Sequence, residues 1–268
     1  ISACNLGATE QVQVQIKNKG GNDISSSFNI TVDVNNGSQI LTETIATSLN
    51  SGDSLFYTFT GTLNLASKGN YNIKAYPTFS PDSNSLNDTT QISIDNIIAS
   101  NLPYSDGFEG TTLNWVSYGQ NNSWAIGVPN GTFVDTAYTG TQLAVTNLNG
   151  NYNNSEISYL ESPCINSSQP NRVLLLSFYL KYNSEVFYDK LIVEYTIDRG
   201  ISWQKMTKGS LSQNWYANNS SWSGASNGWI KVQNSLNSLI AQNDIKFRFK
   251  MESDNSASRE GFAIDKLE

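Results

Sequence analysis

The sequence contains no histidine among its 268 residues. Without an imidazole it cannot form a Ser-His-Asp triad, a papain-like Cys-His pair or a His-ligated zinc site, and it has no imidazole general base. It also contains only two cysteines, Cys4 and Cys164. These absences exclude the commonest routes to hydrolysis, whereas carboxylate chemistry remains possible.

Charged residues are scarce, and the basic ones are in the minority. They make up 15% of the chain, with 16 Lys+Arg against 23 Asp+Glu and a formal net charge of -7. Sequence-independent nucleic-acid binding needs Lys and Arg to displace counterions from phosphates, so no nucleic-acid partner is expected. No apolar run approaches the roughly 20 residues that a membrane span needs, and we predict no membrane insertion.

Uncharged polar residues and aromatic residues dominate instead. Asn, Ser and Thr carry most of the polarity, and the chain contains 6 Trp, 13 Tyr and 11 Phe. Asn and Ser favour turns, whereas Tyr, Trp, Thr and Val favour strands, so this mixture predicts an all-β protein that is secreted or on the cell surface. Because the chain begins at Ile1 without a signal peptide, we expect it to be part of a longer precursor.

Residues 1–98 show the short alternating runs of an immunoglobulin-like sandwich. Polar and apolar residues alternate at Gln11–Asn18, Phe28–Val34, Gln39–Ile45, Ser54–Thr60, Tyr71–Tyr76 and Thr90–Ile94. The sequence Asn35-Asn36-Gly37 predicts a hairpin turn with positive φ. The Cys…Trp…Cys signature of true immunoglobulin domains is absent. The segment from Cys4-Asn5-Leu6-Gly7 to Phe28 resembles the adhesion-type β-sandwich repeats of secreted Bacteroidetes surface proteins.

A second domain is predicted over residues 104–268, after a linker at 99–103, and it carries all six tryptophans. It opens on Asp106-Gly107-Phe108-Glu109 and ends on Glu260-Gly261-Phe262-Ala263-Ile264-Asp265, with aromatic-rich strands between them. This order resembles the MAM-like, concanavalin-type jelly rolls of bacterial secreted proteins, which are similar to the cleaved-adhesin domains of gingipain-type proteases. Lys266 departs from that pattern, in which a second acidic residue is common.

The resemblance implies a structural Ca²⁺ in the second domain. Such an ion takes six to eight oxygen ligands from carboxylates, amides and backbone carbonyls. The candidate ligands are Asp106, Glu109, Asp135, Asn149, Glu156 and Asp265. The first and last strands of a jelly roll pair, which would bring Asp106 and Glu109 close to Asp265. The alternative is that these are turn residues whose side chains face water.

Aromatic residues in a polar stretch suggest a carbohydrate-binding surface. Trp215, Tyr216 and Trp222 lie among Asn and Ser, and flat aromatic faces stack on sugars while amides bind their hydroxyls. The alternative is core packing, because tryptophan is highly buried on average. Trp203 and Trp229 lie beside strand patterns, and we expect these two in the core.

Two further groups leave several interpretations open. Glu185 and Asp189 are the nearest approach to a glycosidase carboxylate pair, although they lack the usual alternating arrangement on one strand. Cys4 and Cys164 fall in different predicted domains. They pair with each other, pair outside this chain, or remain buried thiols.

The sequence therefore predicts a two-domain, all-β and non-catalytic region of a larger exported protein. Its expected function is adhesion or ligand binding, to an extracellular glycan or protein, by a chain that is monomeric on its own. The alternative is the accessory, substrate-targeting region of a secreted peptidase whose catalytic domain lies outside this chain. A free-standing glycosidase ranks last.

Overall fold

The computed structural model describes residues 2–80, 82, 84–110, 114–168, 173–216, 220–242 and 244–268. The chain divides into two compact units, Ile1–Ile98 and Ala99–Glu268. Across the described ranges the regular structure is β-strand, with two short 3-10 helices at Ser85–Asn87 and Asn237–Leu239 and no α-helix. The all-β prediction is confirmed.

Seven strands lie in the part of the first unit that the structure describes. They are β1 (Ser2–Cys4), β2 (Glu10–Lys17), β3 (Phe28–Val34), β4 (Gln39–Ile45), β5 (Ser54–Leu63), β6 (Gly69–Thr78) and β7 (Thr90–Ile97). A five-stranded sheet has the order β1-β7-β6-β3-β4, and β2 pairs with β5 in a separate two-stranded sheet. The alternation in these strands buries one face, where Ile30, Val32 and Val34 meet Phe59 and Leu63 in one core.

The β3–β4 hairpin turns where the sequence predicts it. Asn35 and Asn36 have φ of 52° and 55°, and Gly37 has φ of 101°. Asn and Gly tolerate this left-handed region better than other residues, so the turn forms at little cost.

Glu43 joins β4 to β5. Its carboxylate accepts hydrogen bonds from the Tyr57 hydroxyl at 2.6 Å and from the backbone nitrogens of Thr60 and Gly61 at 2.9 Å. The Tyr57 hydroxyl is the main reason that the pKa of Glu43 falls to about 2. The carboxylate therefore stays ionised at neutral pH, and its hydrogen bonds link β4 to β5.

The described residues of the second unit form twelve strands. They are β8 (Ser100–Asn101), β9 (Val116–Gln120), β10 (Trp124–Gly127), β11 (Leu143–Thr146), β12 (Ile157–Glu161), β13 (Ile165–Asn166), β14 (Leu175–Asn183), β15 (Lys190–Thr196), β16 (Gln204–Lys205), β17 (Ile230–Ser235), β18 (Lys246–Glu252) and β19 (Gly261–Asp265). One sheet, called here the β14 sheet, has the order β10-β11-β19-β14-β17. The other, the β18 sheet, has the order β16-β15-β18-β12-β9. The short strands β8 and β13 pair in parallel.

The core of the second unit consists mostly of aromatic and aliphatic side chains from both sheets. Phe178 of β14 and Phe249 of β18 are fully buried, and their rings meet edge to face at 5.1 Å. The two ends of the unit meet at its margin, where Asp106 and Leu267 exchange backbone hydrogen bonds of 2.8 and 2.9 Å. The fold thus brings the first and last motifs of the predicted jelly roll together.

Two further predictions concern the cysteines and the membrane. Cys4 and Cys164 are fully buried and disulfide-bonded, so neither is a free thiol. This excludes the buried-thiol alternative. Among the described residues, no helix is long and apolar enough to cross a membrane.

Candidate functional site

Glu109 and Asp265, two of the predicted metal ligands, hold the same short loop. The Asp265 carboxylate is fully buried and accepts from the Thr139 backbone nitrogen at 2.7 Å. Glu109 accepts from the backbone nitrogens of Thr141 and Gln142, both at 2.7 Å. Because residues 139–142 are continuous, the two carboxylates converge on one loop from opposite ends of the second unit.

The two carboxylates of this pair differ in their electrostatics. Burial raises the pKa of Asp265, and the negative charge of Glu109 raises it further. Backbone donors at Gln142 and Thr141 lower the pKa of Glu109 instead. Gly140, with φ of 65°, approaches Glu109 so closely that a Cβ there would lie 2.4 Å from its Oε1. The loop therefore fits tightly against Glu109.

The other four predicted ligands do not join them in one carboxylate cluster. Asp106 accepts from the Tyr104 hydroxyl, the Trp115 indole and the Phe108 backbone nitrogen at 2.8–2.9 Å, and so secures the start of the unit. Asp135 is paired with Lys181 at 3.0 Å. Local donors thus engage both side chains, and their role as calcium ligands stays a prediction.

Asn149 and Glu156, the other two candidate ligands, lie in an exposed turn and in the protein interior, respectively. Asn149 is an exposed turn residue whose backbone nitrogen donates to Asn147 Oδ1 at 3.0 Å. Glu156 is fully buried and accepts from the backbone nitrogen of Ser123 at 2.9 Å and from the hydroxyls of Ser123 and Ser158. The buried Glu156 therefore anchors the segment that leads into β10.

A different set of carboxylates does come together. Within the described ranges, Glu185, Asp189 and Asp254 form the one group of three acidic side chains whose ligand atoms all lie within 4.8 Å of one another. Asp189 is fully buried and accepts from the Tyr152 hydroxyl and from the Asp254 backbone nitrogen. The sequence pointed to Glu185 and Asp189 but missed Asp254, since nothing in its Ser-Asp-Asn-Ser turn indicates which strands it lies beside.

The predicted sugar-stacking residues are core residues. Trp215 and Trp222 are 1% exposed and Tyr216 is 5% exposed. The Trp222 ring packs 5.2 Å from Trp215 and 4.7 Å from Tyr216, so the three form one cluster. The prediction is wrong because Trp222 pairs with Leu191 of β15, which directs its ring inward despite the polar neighbours. Residues 217–219 of that stretch lie outside the described residues.

An aromatic surface lies instead on the outer face of the β18 sheet. Tyr118 of β9 lies directly opposite Tyr159 of β12, and their rings stack at 5.1 Å with 26° between planes. The Arg248 guanidinium lies 4.1 Å from the Tyr159 ring centroid and 4.2 Å from that of Trp203. We call Tyr118, Tyr159, Arg248 and Trp203 the aromatic ladder.

Charged side chains surround the ladder. The register places Arg248 between Glu161 and Glu194, and Arg248 binds Glu194 at 2.6 Å. Glu161 accepts from the Tyr118 hydroxyl at 2.9 Å and from Lys246 at 2.7 Å. Aromatic faces, carboxylates and cations therefore lie together on one strand-built surface.

The exposure of the ladder decides what it can bind. Tyr118 is 37% exposed, whereas Tyr159 and Trp203 are half-buried, so ring surface faces the solvent. The expectation that Trp203 belongs to the core is therefore wrong. Tyr159 and Arg248 alternate with buried neighbours in β12 and β18, whereas all of β9 around Tyr118 is exposed. Only the strand order β18-β12-β9 brings the three side chains together.

No family model matches this chain. Bacillopeptidase F of Bacillus subtilis is 32% identical over 162 residues, which cover 60% of this chain and 10% of that protein. The chain thus spans about a tenth of the length of this relative.

Solved structures with a similar arrangement have low sequence identity. The K1 cleaved adhesin domain of Lys-gingipain from Porphyromonas gingivalis W83 is 12% identical, with 61% of this chain and 95% of that chain covered and a TM-score of 0.39. A carbohydrate-binding module of the β-sandwich superfamily is 11% identical, with 98% of each chain covered and a TM-score of 0.39. The CBM22-1 xylan-binding domain of Paenibacillus barcinonensis Xyn10C is 18% identical, with 61% of this chain and 90% of that chain covered and a TM-score of 0.35.

Proposed function

We propose that this chain is a non-catalytic ligand-binding region of a larger secreted or cell-surface protein, and that it binds a glycan on the aromatic ladder. The observation that carries the proposal is the row of Tyr118, Tyr159 and Trp203 around Arg248 on an open sheet face. Flat rings offer apolar faces to the C–H face of a pyranose. The adjacent Glu161 and Glu194 carboxylates accept hydrogen bonds from sugar hydroxyls.

The side chains that could carry catalysis support a binding role. The chain has no histidine, and its two cysteines are held in disulfide form. Glycoside hydrolysis needs two carboxyl groups on either side of an accessible bond. Asp189, half of the glycosidase-like pair, has no exposed surface, so a glycosidic bond does not reach it.

Two ladder variants test the glycan site. Trp203→Ala and Tyr118→Ala each remove one stacking surface. Stacking of a nucleic-acid base on an aromatic ring contributes on the order of 1–3 kcal/mol, and we expect a sugar ring to contribute a similar amount. We therefore expect the affinity for a glycan identified on an array to fall about tenfold or more in each variant, measured by isothermal titration.

Phe187→Ala is the matched control, because Phe187 is 79% exposed and belongs to the β14–β15 loop rather than to the ladder. It should leave the affinity unchanged. If both ladder variants bind the glycan as tightly as the unsubstituted chain does, the aromatic ladder is not the glycan-binding site.

We also infer that the Glu109–Asp265 pair binds a structural calcium ion. A buried carboxylate with a raised pKa beside a second carboxylate supports this, since a divalent cation offsets both charges. In the proposed site, these two side chains supply hard oxygen ligands and the cation fixes the loop at residues 139–142.

Glu109→Gln checks the calcium proposal. Calcium should raise the melting temperature of the unsubstituted chain relative to its value in chelator. This rise should be clearly smaller in Glu109→Gln, which lacks one of the two carboxylates. Asp135→Asn, which removes an exposed carboxylate paired with Lys181, serves as control and should keep the full rise. An identical rise in Glu109→Gln would contradict the assignment.

The second candidate function is the accessory region of a secreted peptidase. The observation that favours it is the 32% identity to Bacillopeptidase F over 60% of this chain. The coding sequence on either side, read in the same frame, tests it. A peptidase catalytic domain there supports this role, whereas a series of binding modules with no peptidase contradicts it.

A further inference from the structure

A second carboxylate group lies apart from the Glu109–Asp265 pair. Glu185 and Asp189 belong to the loop between β14 and β15, and Asp254 follows the end of β18. One oxygen from each lies within 4.8 Å of the other two. Two ligands on opposite sides of one calcium ion, each about 2.4 Å from it, are about 4.8 Å apart, so all three oxygens can reach the same ion.

The Glu185 carboxylate is the member of this group that the protein leaves unpaired. Among the residues that the structure describes, its Oε2 has no hydrogen-bond partner and no solvent-exposed surface. Nor does any ion pair of the described residues include Glu185, Asp189 or Asp254. Burying an ionised oxygen without a partner is costly, and two further carboxylates beside it add repulsion. A cation bound by the three carboxylates would offset both costs.

The neighbouring contacts hold the carboxylates in position without neutralising them. Asp189 accepts from the Tyr152 hydroxyl and from the Asp254 backbone nitrogen, the latter at 2.9 Å. Asp254 Oδ1 accepts from the backbone nitrogen and hydroxyl of Ser256 at 2.8 and 3.0 Å. All of these donors are neutral, so they fix the positions of Asp189 and Asp254 without adding positive charge.

The three ligands suit calcium better than magnesium. Magnesium demands near-ideal octahedral geometry and retains most of its water, so it is seldom held by several protein carboxylates. Calcium accepts longer bonds and irregular geometry, and it needs additional ligands that carbonyl groups or water supply.

We propose that Glu185, Asp189 and Asp254 bind a calcium ion that joins the β14–β15 loop to the loop after β18. The ion would fix the base of the segment that exposes Val186, Phe187 and Tyr188, which are 51%, 79% and 63% exposed. This site differs from the Glu109–Asp265 pair, and neither depends on the other.

Calorimetric titration of calcium chloride into the chelator-treated full chain tests the proposal. Glu185→Gln and Asp254→Asn should each weaken one binding event at least tenfold, and Glu109→Gln should retain that event. Asp135→Asn is the matched control and should bind as the unsubstituted chain does. Magnesium chloride should compete only at much higher concentration.

The stability of Glu185→Gln separates a lost ion from a damaged fold. Because the Glu185 carboxylate accepts no hydrogen bond from the described residues, the variant should melt in chelator at the same temperature as the unsubstituted chain or higher. Calcium bound at this site should raise the melting temperature of the unsubstituted chain but not that of Glu185→Gln. Unchanged calcium binding in both Glu185→Gln and Asp254→Asn, or no calcium binding by the unsubstituted chain, would overturn the proposal.

Discussion

Replacing Trp222 with alanine is expected to lower the free energy of unfolding of the second unit by about 3–5 kcal/mol. The Trp222 ring is 1% exposed and packs against Trp215, Tyr216 and Phe178, so its removal leaves a large cavity. The indole also donates to the Asn214 carbonyl at 3.0 Å. Urea unfolding followed by tryptophan fluorescence measures the loss, because all six tryptophans belong to the second unit.

Trp203→Ala is the matched control for this loss. Trp203 is half-buried on the sheet surface, and the Arg248 guanidinium lies 4.2 Å from its ring centroid. An exposed cation–π contact contributes about 0.5–1 kcal/mol, so the unfolding free energy should fall by about 1 kcal/mol. A similar loss in the two variants would contradict the distinction between core and surface tryptophans.

Gly261→Ala is expected to destabilise the second unit by about 3 kcal/mol or more. Gly261 begins β19 with φ of 85°, and a Cβ there would lie 1.8 Å from Thr146 Oγ1 and 2.9 Å from the Tyr152 ring. Thr146 Oγ1 accepts from the Phe262 backbone nitrogen at 2.9 Å, so moving it also weakens a buried hydrogen bond. Thermal unfolding and tryptophan fluorescence in urea measure the effect.

Gly228→Ala separates backbone strain from steric overlap. Gly228 has φ of 74°, close to that of Gly261, but nothing lies within 4 Å of an added Cβ. It should cost only about 1–2 kcal/mol, the usual penalty for a left-handed non-glycine residue. Equal losses at the two positions would show that the overlap with Thr146 is relieved without cost.

Local patterns predicted the strands well. The run at Phe28–Val34 is β3 with unchanged bounds, and the Asn35-Asn36-Gly37 turn has the expected positive φ. Strand alternation and turn chemistry depend on neighbours in the chain, and the sequence contains both. The bridge between Asp106 and Leu267 also agrees with the expectation that the start and the end of the second domain lie together.

The candidate sites were harder to predict, because they depend on contacts across the sheets. The polar neighbours of Trp222 suggested an exposed loop, although pairing with Leu191 turns the ring into the core. Arg248 reaches Tyr159 and Trp203 only because β18 lies between β15 and β12. Strand order decides such contacts, and alternation within a single strand does not reveal it.

Glycan binding on the aromatic ladder is tested most directly by NMR, in which the tryptophan indole N–H signals are monitored during a glycan titration. The chain has six tryptophans, of which Trp203 lies on the aromatic ladder while Trp215 and Trp222 are buried. If the glycan binds on the aromatic ladder, it should shift the Trp203 signal strongly and leave the signals of Trp215 and Trp222 in place. A glycan that binds without moving the Trp203 signal, or that shifts only Trp215 and Trp222, would contradict binding on the aromatic ladder.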